Sequence, residues 1–194
     1  MKQQRSGILQ GFRRFARDRR GVSAVEFAFV APLLIALYLG CVEISDGVSV
    51  DRKVTLTAAA LANLSSRVTT ISSGDMTNIL DASSAIIAPY SALNLTITVS
   101  CLSIDQNKNA TVKWSATRNG TARAIGSTYT FDPSESALDL PSSQLVLSEV
   151  TYAYTPIVGY TITGTLNLSD HMFMSPRIQP PIYNDGTKDY DCGK

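Results

Sequence analysis

A long apolar run that begins abruptly at a glycine constrains this chain more than any other feature. Residues 22–42 read VSAVEFAFVAPLLIALYLGCV and contain a single charged side chain, Glu26. A helix of this length is about 32 Å long, which matches the roughly 30 Å hydrocarbon core of a bilayer. The run therefore predicts one membrane-spanning helix over residues 22–44.

Two other interpretations of the run are weaker. A secretory signal peptide has an apolar core of about 7–15 residues and no acid within it, whereas the uncharged part here, residues 27–42, is longer and follows Glu26. Leu39-Gly40-Cys41 resembles a lipoprotein cleavage site, but Tyr38 does not suit its position. We therefore interpret Cys41 as a small residue of the membrane helix, with lipid attachment as the less favoured alternative.

The charges of the chain are split between its two ends. Residues 1–21 hold seven Lys/Arg and one Asp, a net charge of +6, whereas the remainder has a net charge of −5. Basic residues beside a span stay on the cytoplasmic side, so the amino terminus is predicted inside and the larger domain outside. The basic arm directly precedes the span, so anionic lipid is its expected contact; no nucleic acid partner is predicted.

The junction itself carries a family resemblance. Arg20-Gly21 followed by Val22-Ser23-Ala24-Val25-Glu26-Phe27 resembles the processing site of type IV prepilins and pseudopilins. The Glu-Phe pair followed by AFVAPLLIALYLG is similar to the TadE/TadG-like family of tight-adherence (Flp-type) pilus assembly proteins. The similarity is strong over residues 13–67 and weak over residues 149–156 and 175–177.

The resemblance implies a function and a set of partners. A prepilin peptidase would cleave between Gly21 and Val22, and Glu26, beside Phe27, would pair with the free amine of a neighbouring subunit. The protein would be a minor pilin, pseudopilin or assembly factor in the bacterial inner membrane, with a periplasmic domain and no enzymatic activity. Its partners would be the bilayer, the major pilin, sibling pseudopilins and the tight-adherence secretion platform.

Alternatives remain open for both the acid and the whole chain. Glu26 lies only about 6–7 Å along the helix from Val22, so it could instead reach water at the headgroups. The chain could also be an uncleaved, membrane-anchored periplasmic binding module that contacts its ligand through a loop at residues 118–143.

The residues after the span predict an α+β domain in which the long helix packs on a small antiparallel sheet, as in pilins. Four domains are expected: a leader at 1–21, the span at 22–44, an amphipathic helix at 45–74 and an outer domain at 75–194. Apolar residues spaced three and four apart carry the first helix onward: Val50, Val54, Thr57, Leu61, Leu64 and Val68. A second helix is predicted at 75–88, capped by Ser73 or Asp75.

Alternating apolar residues predict the strands of the sheet. They occur at residues 93–101, 112–116, 145–154 and 160–174. Asn119-Gly120 is a strong hairpin signal. Residues 118–143 are interpreted as an irregular loop and residues 175–194 as a flexible tail.

Little in the outer domain points to chemistry. Cys101 and Cys192 are predicted to form a disulfide, since an oxidising compartment permits one. No catalytic, cofactor-binding or metal site is predicted. His171 is interpreted as a polar strand residue, and the acids Asp185, Asp189 and Asp191 as part of a solvated tail.

Overall fold

The computed structural model describes residues 21–156 and 164–193. One long helix, α1, runs from Val22 to Ser66 and continues through Pro32. Contacts divide the chain after Ile44 into two units. The first contains the apolar part of α1, and the second contains the rest of α1 and everything that follows.

The second part of α1 has one buried face. Val50, Val54 and Leu61 belong to the main core and Thr57 is fully buried, as the three-and-four spacing predicted. Ala58, outside that pattern, also belongs to the core. The prediction is wrong beyond them: the helix ends at Ser66, short of residue 74. Leu64 is exposed although it lies within the helix, and Val68 is exposed beyond the helix end, where the chain enters a short strand, β1, at Thr70–Ser72.

The second helix, α2, covers Ser73–Ile87 and buries Met76, Leu80 and Ile87. Its cap is Ser72 and not Ser73 or Asp75, the two predicted candidates. The Ser72 hydroxyl accepts a hydrogen bond from Asp75 N at 3.1 Å, and the Asp75 carboxylate accepts one from Ser72 N at 3.2 Å. This reciprocal pair is a capping box, which satisfies amide groups that the first helical turn leaves unpaired.

A five-stranded antiparallel sheet forms the body of the second unit, and the α+β fold is confirmed. The strand order is β4-β3-β2-β5-β6. The strands are β2 (Leu95–Ile104), β3 (Ala110–Arg118), β4 (Thr128–Tyr129), β5 (Gln144–Tyr154) and β6 (Leu166–Met174). The last strand was predicted from residue 160, and residues 160–163 of that prediction lie outside the described residues.

The sheet separates the main core from a second apolar layer. On the inner face, Ile97, Val99 and Val150 pack with the buried side of α1. On the outer face, Leu102, Val112 and Leu147 form a smaller cluster. Four consecutive buried residues, 99–102, interrupt the burial alternation of β2, because Ser100 and Leu102 are covered on the outer face while Val99 and Cys101 face the main core. A register shift between Cys101 and Leu102 places one extra residue in β3, so that Trp114 faces the main core and Val112 the outer cluster.

The hairpin predicted at Asn119-Gly120 is wrong. Asn119 has a positive φ of 55°, as a turn residue does, but its side-chain amide donates to the carbonyls of Ala92 and Leu95. The following strand, β4, pairs with the opposite end of β3, where Thr128 lies beside Thr111. Residues 118–143 also contain a 3₁₀ helix at Pro133–Leu138, so the segment is more regular than predicted.

The C-terminal segment is folded, not a flexible tail. Strands β7 (Ile182–Asn184) and β8 (Asp189–Asp191) form a second sheet in which β7 runs parallel to β1. The buried Trp114 indole donates a hydrogen bond to Pro181 O at 3.0 Å. Sequence patterns missed these elements because three-residue strands show no measurable periodicity.

Candidate assembly site

The apolar part of α1 presents a continuous exposed surface. This is the one helix in the described ranges that is long and apolar enough to cross a membrane, and none of its most apolar stretch is buried. Phe29 is 79% exposed and Tyr38 is 69% exposed. Such a surface is far larger than the apolar patches that monomeric soluble proteins tolerate, so lipid or other helices must cover it.

Glu26 is the one acid on this surface between Val22 and Val42. It is exposed, and it makes no ion pair or hydrogen bond with any residue that the structure describes. Its neighbour Phe27 is 68% exposed. A carboxylate surrounded by apolar side chains is costly in a bilayer unless it reaches a counter-charge or water, so the site can attract a cation.

Gly21 lies immediately before the first residue of α1. The space in which a side chain would extend from Gly21 is open, with no atom within 4 Å. Glycine also allows close approach of another molecule to the backbone. The peptide bond between Gly21 and Val22 is therefore sterically accessible at the start of the helix.

Cys101 and Cys192 are brought together by the fold of the second unit. The structure joins them by a disulfide, with Cα atoms 5.9 Å apart and a separation of 91 positions in sequence. Both residues are fully buried. The link connects β2 of the main sheet to the chain just after β8. Cys41 is a free, exposed cysteine on α1.

The segment at 118–143 is held to the outer face of the sheet by charged and aromatic contacts. The Arg123 guanidinium donates two hydrogen bonds to the Glu149 carboxylate, at 2.7 and 2.6 Å. This carboxylate raises the pKa of Arg123. Tyr129 packs edge-on against Phe131 and Phe173. No sequence pattern indicates these contacts, since the partners are distant along the chain.

His171 lies exposed on the outer face, as predicted, and pairs with Glu135 of the 3₁₀ helix. Among the acids of the C-terminal segment, Asp185 stabilises the turn between β7 and β8, and Asp189 accepts a hydrogen bond from the Asn184 side chain on the paired strand. Asp185 accepts hydrogen bonds from the Thr187 amide and hydroxyl and from the Lys188 amide. These bonds, with the Thr187 hydroxyl foremost, lower the pKa of Asp185 to about 2. No group of three or more metal-binding side chains occurs in the described part of the chain.

Comparisons with known proteins agree with the position of the candidate site. The family model for TadE-like proteins matches residues 21–62, which include Gly21, Glu26 and most of α1. No curated protein matches the chain, and no solved structure does. Over residues 21–62 the chain is thus similar to TadE-like proteins, in agreement with its resemblance in sequence to the TadE/TadG-like proteins of tight-adherence pili.

Proposed function

We propose that this protein is a minor pilin, pseudopilin or assembly factor of a tight-adherence pilus system. Residues 22–44 hold it in the bacterial inner membrane, with the amino terminus in the cytoplasm and the folded domain in the periplasm. A prepilin peptidase removes residues 1–21, and the apolar helix then associates with the pilin and sibling pseudopilins. The similarity to TadE-like proteins supports the pilus system.

The observation that carries the proposal is the combination of an uncovered apolar helix with one acid near its start. An anchor alone needs no acid, and an acid within the bilayer costs roughly 2.5–3.5 kcal/mol even on lenient insertion scales. A partner amine offsets this free-energy cost, because opposite charges attract strongly where water is excluded. Cleavage before Val22 creates such an amine in each processed subunit.

The assembly part of the proposal is tested by crosslinking from the helix surface. A photoreactive phenylalanine analogue replaces Phe29, which is 79% exposed, and the same analogue at Tyr152, an aromatic residue that is only 4% exposed, serves as the control. We expect light to join the Phe29 variant to the pilin or to another membrane-anchored component of the pilus system. Adducts to lipid alone at Phe29 would contradict helix-mediated assembly.

A second candidate function is that of an uncleaved periplasmic binding module. The ordered segment at 118–143 favours it, because its aromatic and charged contacts fix a surface above the sheet. The mature amino terminus separates the two functions: residue 22 supports a processed pseudopilin, and residue 1 supports the binding module.

A further inference from the structure

Two contacts identify the end of the main sheet that lies beside the first turns of α1 in the second unit. That unit begins two residues before Gly47. A side-chain carbon placed at Gly47 would lie 3.7 Å from the ring of Tyr154, the last residue of β5. Farther along α1, Lys53 Nζ donates hydrogen bonds to the carbonyls of Ile86 and Ala88 at the end of α2, at 3.1 and 2.6 Å. The ends of β5 and α2 therefore lie where α1 enters this unit.

Two exposed leucines, which we call the leucine rim (Leu93 and Leu166), lie at this same end of the sheet. Leu166 is the first residue of β6, pairs in register with Tyr154 and is 42% exposed. Leu93 lies in a 3₁₀ turn directly before β2, which begins beside Tyr152 of β5. It is 86% exposed, more than any other large apolar side chain in the described ranges.

The turn that carries Leu93 is held by hydrogen bonds on both sides of this residue. Ser91 Oγ accepts a hydrogen bond from Leu93 N at 3.3 Å. The Asn119 side-chain amide donates to the carbonyls of Ala92 and Leu95, at 3.2 and 2.9 Å. Single exposed leucines are ordinary on protein surfaces, so the exposure of Leu93 acquires meaning from the place at which this ordered turn holds it.

The place is level with the surface of a bilayer that contains residues 22–44. Gly47 follows residue 44 by three positions, which is a rise of about 4.5 Å along a helix. The headgroup layer on each side of the hydrocarbon core is about 5–7 Å deep, so the end of the sheet beside Gly47 lies at headgroup depth. Residues 45–54 contain two acids and two bases. Their charges balance, and apolar contact is therefore the attraction that this end offers to lipid.

We propose that the leucine rim inserts into the headgroup layer of the membrane that holds α1, so that the folded domain contacts lipid directly. Apolar side chains of interfacial segments are buried roughly 5–10 Å into this boundary. The contact gives the second unit its own attachment to the bilayer, in addition to the helix. This inference rests on the proposed placement of residues 22–44 in the membrane, but not on cleavage at Gly21 or on the pairing of Glu26.

The test measures how strongly lipids quench a fluorophore attached to the full chain. The protein is reconstituted into phosphatidylcholine vesicles in which some lipids carry a nitroxide on the acyl chain near the headgroup. The background variant is Cys41→Ala, because the other two cysteines are buried in a disulfide and do not react. A single cysteine is then introduced and labelled at each chosen position.

Three positions are compared. Asn94→Cys places the label next to Leu93 and leaves the leucine rim intact. Asn107→Cys is the matched control, since Asn107 is also an exposed asparagine in a turn beside β2. It lies at the opposite end of that strand, whose ten residues span about 33 Å. Ile35→Cys, at a position that is 58% exposed on α1, reports whether the helix itself lies in lipid.

We expect the nitroxide lipids to quench the labels at positions 35 and 94 and to leave the label at position 107 unquenched. Replacing the rim by Leu93→Asp and Leu166→Asp should abolish quenching at position 94 and preserve it at position 35, because ionised side chains avoid the bilayer. The fluorescence of the single tryptophan, Trp114, reports whether each variant is folded.

The outcomes separate this inference from the proposed function. Quenching at position 35 without quenching at position 94 would overturn the inference and leave the proposed function standing. Quenching at position 94 that persists in the folded double aspartate variant would also overturn it, because the leucines would not make the contact. Absence of quenching at position 35 would overturn the membrane placement of α1, and with it both proposals.

Discussion

At the scale of single residues, the central feature is Glu26 on an uncovered apolar helix. The sequence alone predicts this site, because an acid inside a long apolar run is visible without any tertiary information. Asp139 shows the opposite case. It is one of several acids in a Ser- and Pro-containing segment, and only the fold buries one of its oxygens without a hydrogen-bond partner among the described residues.

Replacing Glu26 tests its role in assembly. We expect Glu26→Ala to insert in the membrane and to be cleaved at Gly21 normally, but to associate more weakly with the pilin or sibling pseudopilins. Loss of one member of a buried ion pair costs about 3–5 kcal/mol, because the partner charge is left without compensation. Co-purification after crosslinking, together with a count of pili per cell, measures the effect.

Asp46→Ala is the matched control, since it removes an acid from the same helix beyond the predicted span. A pair that remains in contact with water is worth only about 1 kcal/mol or less. Normal association and normal pilus numbers in Glu26→Ala would therefore assign Glu26 to the headgroup region and remove it from the assembly site.

At the scale of elements, local sequence signals were reliable where the element is long. The alternation in β2, β3 and β5 predicted the main sheet because many successive residues obey one period. The predicted boundaries were less accurate. Helix α1 ends at Ser66, not at residue 74, and α2 is capped by Ser72, not by Ser73 or Asp75. The sequence does not predict a strand directly before α2, because β1 forms a strand only through its pairing with β7, which is distant in sequence.

The cap of α2 gives a prediction at this scale. Ser72→Ala removes the hydroxyl that accepts from Asp75 N, so we expect the free energy of unfolding to fall by about 1 kcal/mol. Chemical denaturation followed by Trp114 fluorescence measures the change. Ser73→Ala, one residue later, is the control and should be nearly neutral. Equal effects of the two substitutions would contradict the assignment of Ser72 as the cap.

The turn between β7 and β8 predicts a dependence on pH. The pKa of Asp185 is lowered from 3.8 to about 2 by its hydrogen bonds, the Thr187 hydroxyl first. The ionised carboxylate therefore stabilises the folded state above pH 3.8, and this contribution is lost as the pH falls through about 2. We expect Asp185→Ala to lower the melting temperature at pH 7 but to make little difference at pH 2.

Asp51→Ala provides the comparison, because the Asp51 carboxylate has no partner within the described ranges. Melting curves of both variants and the wild type at the two pH values complete the test. A deficit in Asp185→Ala that is as large at pH 2 as at pH 7 would show that the charged turn is not its cause.

At the scale of the whole molecule, the chain combines an apolar helix with a domain that has its own core. The fold class was predictable, because a long apolar run, a helical stripe and alternating strands each leave a clear pattern in sequence. The second sheet was not predictable. The C-terminal segment that forms it is held by the Trp114–Pro181 hydrogen bond and by the Cys101–Cys192 disulfide. Each of these contacts joins residues that are far apart in sequence.

The Cys101–Cys192 disulfide gives a prediction about the stability of the whole domain. We expect labelling of the denatured, unreduced protein to modify one cysteine, Cys41, and labelling after reduction to modify all three. Replacing both Cys101 and Cys192 with alanine should lower the free energy of unfolding by up to about 4–5 kcal/mol, because the link closes a long loop. The Cys41→Ala variant is the control for the denaturation measurements. Three reactive thiols without reduction would contradict the bridge.

The mature amino terminus tests the account's central claim most directly. Intact-mass analysis of the protein extracted from membranes should give a chain that begins at Val22 and retains the helix, and removal of the prepilin peptidase should leave the full-length chain. A chain that still begins at Met1 in the presence of the peptidase, or one that begins at Cys41, would contradict processing at Gly21.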